Sequence, residues 1–206
     1  REFDRRVCWG IEEVNYKEDG GKRCHDIERG DLTVKMSPEQ TLLKEPESEV
    51  VARFQDCDPF GHLNNARYMD YFINAREDHL IQFYNLNIYE HAEQAKAAWV
   101  ISKTQIAYLR PVLVMEKVRI RTRVMHYSEN GIVVEGLMLD SEGTRLKSML
   151  WVEFAYVSLA SGRPMKHTPE LMDLLRNVVF SDSFNPDGFN QRVDVVRAEI
   201  NRNKSL

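Results

Sequence analysis

Cysteine is scarce in this sequence, long apolar runs are absent, and neither sign of charge dominates. Cys8, Cys24 and Cys57 make an odd set with no C-x-x-C spacing, which argues against a disulfide framework and against a zinc knuckle. A reducing, cytoplasmic setting is the expectation. No stretch approaches the ~18 consecutive apolar residues that would span a bilayer, and the charged start REFDRR leads into no signal-peptide core. With Lys+Arg 28 against Asp+Glu 32 and a net charge of -4, no global basic field draws the chain to nucleic acid or anionic membrane. Also missing are a G-x-S-x-G elbow, a Walker loop, an H-E-x-x-H pair, internal repeats and low-complexity tracts. What remains is a chain of 206 residues, 43% hydrophobic, enough to bury the core of one domain with extensions.

Hydrophobic periodicity orders the elements. Residues 1–36 support only weak strands, and Ser37-Pro38-Glu39-Gln40 reads as the capped start of a short helix that stops before Pro46. Residues 49–57 alternate, with Val50, Ala52 and Phe54 on one face, as a half-buried strand should. From Asn65 to about Tyr84, Tyr68, Met69, Phe72, Ala75, Leu80 and Phe83 recur at helical spacing and predict the one long helix. A mixed segment follows, and then four period-2 runs at 98–109, 115–127, 131–139 and 145–158. They are joined by a two-residue hairpin at Asn130-Gly131 and a looser one at DSEGT from Asp140. Thr168-Pro169-Glu170 caps a further helix, PELMDLLRNVV, and NPDG separates it from a last amphipathic segment. This order predicts an α+β domain in which one helix crosses the apolar face of a five-stranded antiparallel sheet.

Two features of this plan carry chemistry. Lys117, Arg119, Arg121 and Arg123 alternate along one strand, so all four cations share a face. A solvated face, or a ladder of ion pairs with carboxylates such as Glu135 and Glu153, is expected of them; phosphate binding is the alternative. The second feature is DCDPFGHLNN, residues 56–65, between the first strand and the long helix. Unpaired N–H groups at a helix start favour developing negative charge, and a carboxylate in the same loop can serve as nucleophile or as general base on water. Asp58 is well placed for that. It can equally cap the turn, as Asn64 can cap the helix. A calcium loop is excluded, because Phe60 and Arg67 stand where ligands are required. A D-x-D phosphatase reading fails because Arg53 and Gln55 break the buried strand it needs.

FQDCDPFGHLNNARYMDYFINAR, continuing through IAYLRPVLVMEKVRI to WVEFAYVSLASGRP, resembles the 4-hydroxybenzoyl-CoA thioesterase family of hot-dog-fold enzymes, in particular its long-chain acyl-CoA thioesterase branch. The resemblance covers about residues 49–165, leaving an N-terminal extension, 1–48, of unknown role and a C-terminal helix and tail, 166–206. It implies a hot-dog fold, a five-stranded antiparallel sheet wrapped around one long helix. It further implies a homo-oligomer, dimer or tetramer, whose subunits pair their sheets edge to edge with the active site between them. The implied substrate is an acyl-CoA, hydrolysed without metal or cofactor, coenzyme A being part of the substrate. By resemblance Asp58 is the catalytic carboxylate, Asn65 supplies the backbone N–H that polarises the thioester carbonyl, and His62 and Asn64 orient water or substrate; for a lone histidine at a helix start, a structural hydrogen-bonding role is the commoner alternative. Cys57 matches a family cysteine, but between two aspartates its thiolate is disfavoured and it is not read as a nucleophile. Tyr68 and Phe72, on the helix, and Arg110 are the candidate substrate-binding residues. Arg110, Arg145, Lys147 and the cationic stripe are the candidates for the coenzyme A phosphates. An acyl-carrier-protein thioester is the alternative substrate, and a non-catalytic acyl-binding or scaffold domain the alternative function.

Overall fold

The computed structural model describes residues 42–180 and 184–203. The weak strands expected over 1–36 and most of the helix expected at 37–45 lie outside the described residues, and the described end of that helix, Leu42 to Glu45, is not helical.

Strand β1 (Glu47–Val51) is followed by helices α1 (Tyr68–Tyr84) and α2 (Ile88–Ala95), then by β2 (Ala97–Tyr108), β3 (Lys117–Tyr127), β4 (Gly131–Asp140) and β5 (Leu146–Ser158), and finally by α3 (Pro169–Val178) and α4 (Phe189–Asn203). The strands form one antiparallel sheet in the order β1-β3-β4-β5-β2, so the short β1 and the long β2 are its edges. Alternation assigns the two faces. Val118, Ile120, Met138, Leu150 and Val152 pack against Tyr68, Tyr71, Phe72 and Ala75 of α1. The same face continues under α3, where Val124 and Tyr156 meet Leu171, Leu174, Leu175 and Val178. Leu137, Leu139, Met149 and Trp151 point the other way and are covered by Phe189, Val193 and Val196 of α4.

Contact between α1 and the sheet is close enough to dictate composition. A Cβ on Gly136 would stand 2.5 Å from Cδ1 of Phe72, so glycine at this point of β4 makes room for the ring. The helix ends where Asn85 turns left-handed at φ 51°, and Leu86 N–H closes back onto the Leu80 carbonyl at 3.0 Å.

Three local expectations are corrected. The first strand ends at Val51 instead of continuing to 57: Ala52 pairs with the approach to β3 through Glu116 and Met115, and residues Phe54–Asp56 coil into a 3-10 turn that leaves Phe54 82% exposed. The segment after α1 contains a helix, α2, which begins where the Asn87 side chain accepts from the N–H groups of Tyr89 and Glu90. The β3–β4 reversal falls at Glu129–Asn130, and neither Asn130 nor Gly131 takes a positive φ. There the carbonyls of Ser128, Glu129 and Asn130 are taken by the His167 ring, His167 N–H and Tyr156 N–H, and these tertiary bonds override the local preference of Asn-Gly. The hairpin at DSEGT forms as read, with Gly143 at φ 72°.

His79 ties α1 to both β3 and β1: its Nδ1 lies 2.8 Å from the Thr122 hydroxyl and its Nε2 3.0 Å from the Ser48 hydroxyl. Burial, reinforced by the nearby Arg76 charge, pushes its pKa down from 6.5 to about 4. The folded state therefore holds the ring neutral. The associated stability is present in full above pH 6.5 and is lost as pH falls through 4, by on the order of 3 kcal/mol in total. Between pH 7 and pH 4.5, urea titrations should show the wild type losing roughly 2 kcal/mol more than His79→Gln. Equal losses would mean that His79 does not titrate with folding.

Candidate active site

The polar junction is a tight hairpin. Asp58 N–H donates to the His62 carbonyl at 2.8 Å, Gly61 N–H donates to the Asp58 carbonyl at 3.0 Å, and Asn64 N–H donates to the Asp56 carbonyl at 2.9 Å. The sequence D-P-F-G fits this shape residue by residue: Pro59 presets φ at the first corner, and Gly61 supplies the left-handed φ of 75° that lets the chain re-enter the ladder. Leu63, on the opposite side of the ladder, is buried and anchors the hairpin by donating its N–H to the Val112 carbonyl.

The two aspartates divide their work. Asp56 is fixed from outside the hairpin: its Oδ2 accepts the Tyr71 hydroxyl at 2.8 Å, and Arg67 Nε lies 3.8 Å from its Oδ1. Tyr71 in turn accepts Arg53 N–H at 3.0 Å, which ties the loop to α1 at a second point. Asp58 is held from within, Oδ1 accepting Phe60 N–H at 2.9 Å and His62 N–H at 3.1 Å. Its turn-capping role is thus filled by one oxygen. Oδ2 accepts no hydrogen bond among the described residues, so the carboxylate is both oriented and available.

The helix begins later than its periodicity predicts. Asn65, Ala66 and Arg67 form a turn, and α1 opens at Tyr68 with no side-chain cap from Arg67. Asn64 organises that turn, accepting Ala66 N–H on its side chain at 3.0 Å and Arg67 N–H on its carbonyl at 2.8 Å. Asn65 N–H, at the base of the hairpin, donates to no group among the described residues, while its carbonyl accepts the Tyr108 hydroxyl at 3.0 Å. Tyr108 is a contact the sequence reading missed. It stands at the end of β2, edge-on to Tyr68 with ring centroids 5.1 Å apart, and the only sequence signal for it was the weak YLRP run.

The remaining candidates fall into two groups. His62 is half-buried at the tip, and its ring makes no hydrogen bond among the described residues. Tyr68 and Phe72 are each 2% exposed and belong to the core, with the Tyr68 hydroxyl accepting Val112 N–H. Burial and the flanking carboxylates of Asp56 and Asp58 push the Cys57 thiol up, and its S–H donates to the Arg53 carbonyl. Among the described residues no cluster of three His, Cys, Asp or Glu could hold a metal ion.

The cationic stripe is a ladder of ion pairs. Lys117 meets Glu49 at 3.2 Å, Arg119 meets Glu47 at 2.7 Å, Arg121 meets Glu47 at 2.8 Å, and Arg123 meets both Glu45 and Glu135 at 2.6 Å. Glu135 partners the stripe as expected. Glu153 does not: it lies two strands away and pairs with Lys103 at 3.0 Å. The acids of β1 and its approach, directly opposite β3, take the place given to Glu153. Lys147 is bound to Glu116 and to the Pro111 carbonyl, whereas exposed Arg110 has no ion pair among the described residues.

The family model described as "Thioesterase-like superfamily" matches residues 52–175. Long-chain acyl-CoA thioesterase FadM of Escherichia coli is 24% identical over 134 residues, covering 65% of this chain and 98% of that protein. Among solved structures, a 1,4-dihydroxy-2-naphthoyl-CoA thioesterase from Synechocystis superposes with a TM-score of 0.59 at 11% identity, covering 65% of this chain and 95% of the other. A DHNA-CoA thioesterase from Staphylococcus aureus gives a TM-score of 0.56 at 18% identity, covering 75% and 94%. At these identities the structural likeness is one of fold: the five-stranded antiparallel sheet around α1 is a hot-dog fold.

Proposed function

We propose that this chain, which belongs to the Thioesterase-like superfamily and is a thioester hydrolase, cleaves acyl-CoA thioesters to the free acid and coenzyme A. The observation that carries the reading is the hairpin itself, which holds Asp58 by one carboxylate oxygen and, among the described residues, leaves the other free and the Asn65 N–H undonated. Water adds to the thioester carbonyl carbon as Asp58 Oδ2 takes its proton; alternatively, Asp58 adds first and water then releases the acyl group. On either route the C–S bond breaks, and the sulfur leaves as a thiolate that is then protonated. Negative charge developing on the carbonyl oxygen is met by Asn65 N–H, with the positive end of α1 behind it. His62 and Asn64 flank this point and orient water or substrate. Neither a metal nor a redox cofactor enters the proposed reaction. Thiol release measured across a panel of acyl-CoA lengths tests the function. Release from acyl-carrier-protein thioesters alone would change the substrate class, and release from neither would sink the proposal.

The proposed working unit is a homo-oligomer paired through β2. Among the described residues this strand is an edge of twelve residues, with no strand paired to its outer side and with Val100 and Ile101 exposed, and such an edge is a template for a second copy. Light scattering at micromolar concentration should show a dimer or larger; a stable, active monomer would contradict the pairing.

The cationic stripe is proposed to stand outside substrate binding, since each of its charges already has a carboxylate. Replacing Arg119 and Arg121 together by Gln should leave KM for acyl-CoA nearly unchanged. A rise that is selective for full coenzyme A esters over truncated thioesters, and that is salt-sensitive, would move the phosphates onto the stripe.

A further inference from the structure

Away from the Asp58 hairpin, α1, α2 and α3 line a half-open cavity of about 260 Å³ against the sheet. Its walls are almost wholly apolar, with Ile73 and Leu80 from α1, Trp99 from β2, Phe154 from β5 and Leu174 from α3. One wall is not. Arg76 lines the same cavity, is only 7% exposed, and its Nη1 is buried without a hydrogen-bond partner. No carboxylate pairs with it among the described residues; its compensation is Tyr84, which hydrogen-bonds the guanidinium and whose ring centroid is 5.6 Å from the guanidinium carbon. Glu77, next in sequence and also on the cavity wall, instead faces Tyr89.

A buried guanidinium with an open donor is costly, and proteins normally pair it or remove it. Here the buried guanidinium stands beside the apolar volume. They match a molecule that is anionic at one end and apolar along the rest, because the anion would compensate the Arg76 charge and the apolar body would fill the apolar cavity. The volume corresponds to about nine groups the size of a water molecule. A medium-length chain or a single aryl group fits that size.

We infer that this cavity binds a small amphipathic carboxylate, with its head on Arg76 and its body between α1, α3 and the sheet. The site is built from atoms other than those of the Asp58 hairpin. Counted from Tyr68 at the hairpin end of α1, Arg76 lies about 12 Å along the helix. The inference therefore stands whether or not the proposed hydrolysis is correct. The acid could be the one released by hydrolysis or one supplied from elsewhere; the recognising chemistry is the same.

Calorimetric titration of the full chain with octanoate, octanol and octanamide tests it. Octanoate should bind, and the two neutral analogues should bind about 10- to 100-fold more weakly, the range for one charge-assisted hydrogen bond. Arg76→Met should remove that preference, and since it deletes a buried charge that has no carboxylate partner among the described residues its own thermal stability should match or exceed that of the ligand-free wild type. Equal affinity for octanoate and octanol, no binding of any of the three, or undiminished octanoate binding by Arg76→Met would each overturn the inference. The comparison among the three ligands needs no variant and decides the matter even if Arg76→Met fails to fold. Octanoate binding repeated in the presence of a non-hydrolysable S-alkyl coenzyme A separates the sources. Competition marks the acid as the reaction's own product, and independent binding marks it as a separate effector; either result supports the site when Arg76 is required.

Discussion

Asp58→Asn should fold and lose turnover by roughly 10² to 10⁴-fold, the range for removing a general base or comparable group. The substitution is unusually clean here. Asparagine keeps an oxygen to accept Phe60 N–H and His62 N–H, so the hairpin geometry survives, while the position of the free Oδ2 can be filled by an amide that neither takes a proton nor attacks a carbonyl. Asp58→Ala removes the turn-capping oxygen as well, and should show the same loss of turnover with an added loss of stability. Steady-state thiol release, with circular dichroism to confirm folding, separates the two effects. Near-wild-type turnover in Asp58→Asn would remove Asp58 from the chemistry and leave it as a turn cap.

The hairpin also shows where sequence reasoning succeeds and where it runs out. D-P-F-G declares its own backbone, since Pro59 and Gly61 each permit few conformations, and the placement of Asp58 follows from that local chemistry. The strands β2 to β5 were legible for a similar reason: alternation over ten or more residues tolerates no shift without turning a hydrophobic face outward. The failures occur where distant residues decide. Residues 52–56 alternate like a strand, but the approach to β3 captures Ala52 and the chain turns aside. The left-handed propensity of Asn-Gly yields to three carbonyl bonds from β5 and the approach to α3. Helix α2 was missed although its signature was present, with Asn87 at the cap and Glu90 three residues on, joined by a 2.9 Å side-chain bond. Its single turn or two of amphipathic pattern is too short for periodicity to carry alone. Arg76 could not have been singled out at all. It sits among helical polar residues in sequence, and only the packing of α2 and α3 over α1 buries it.

The C-terminal helix poses the complementary problem, because α4 lies beyond the part of the chain that the family model matches. It is held by apolar contacts and by one buried carboxylate. Glu135, on β4 and fully buried, accepts from Arg123 Nε at 2.6 Å, from Trp151 Nε1 at 2.8 Å, and from Arg192 Nε of α4 at 3.1 Å. Removing this carboxylate deletes its bonds to Trp151 and Arg192 and leaves Arg123, which has almost no access to water, with Glu45 as its remaining carboxylate among the described residues. Glu135→Ala should therefore cost about 3 to 5 kcal/mol, a large share of the 5 to 15 kcal/mol that stabilises a typical domain. Arg192→Met should cost less, since Glu135 keeps Arg123 and Trp151 and the new side chain still packs on the sheet. Asp58 lies outside this network. Turnover per folded molecule should accordingly persist in both variants, with the loss appearing in the urea midpoint. An Arg192→Met variant as unstable as Glu135→Ala would mean that α4 is held chiefly by its arginine, and that the apolar surface of Phe189, Val193 and Val196 contributes little to its docking.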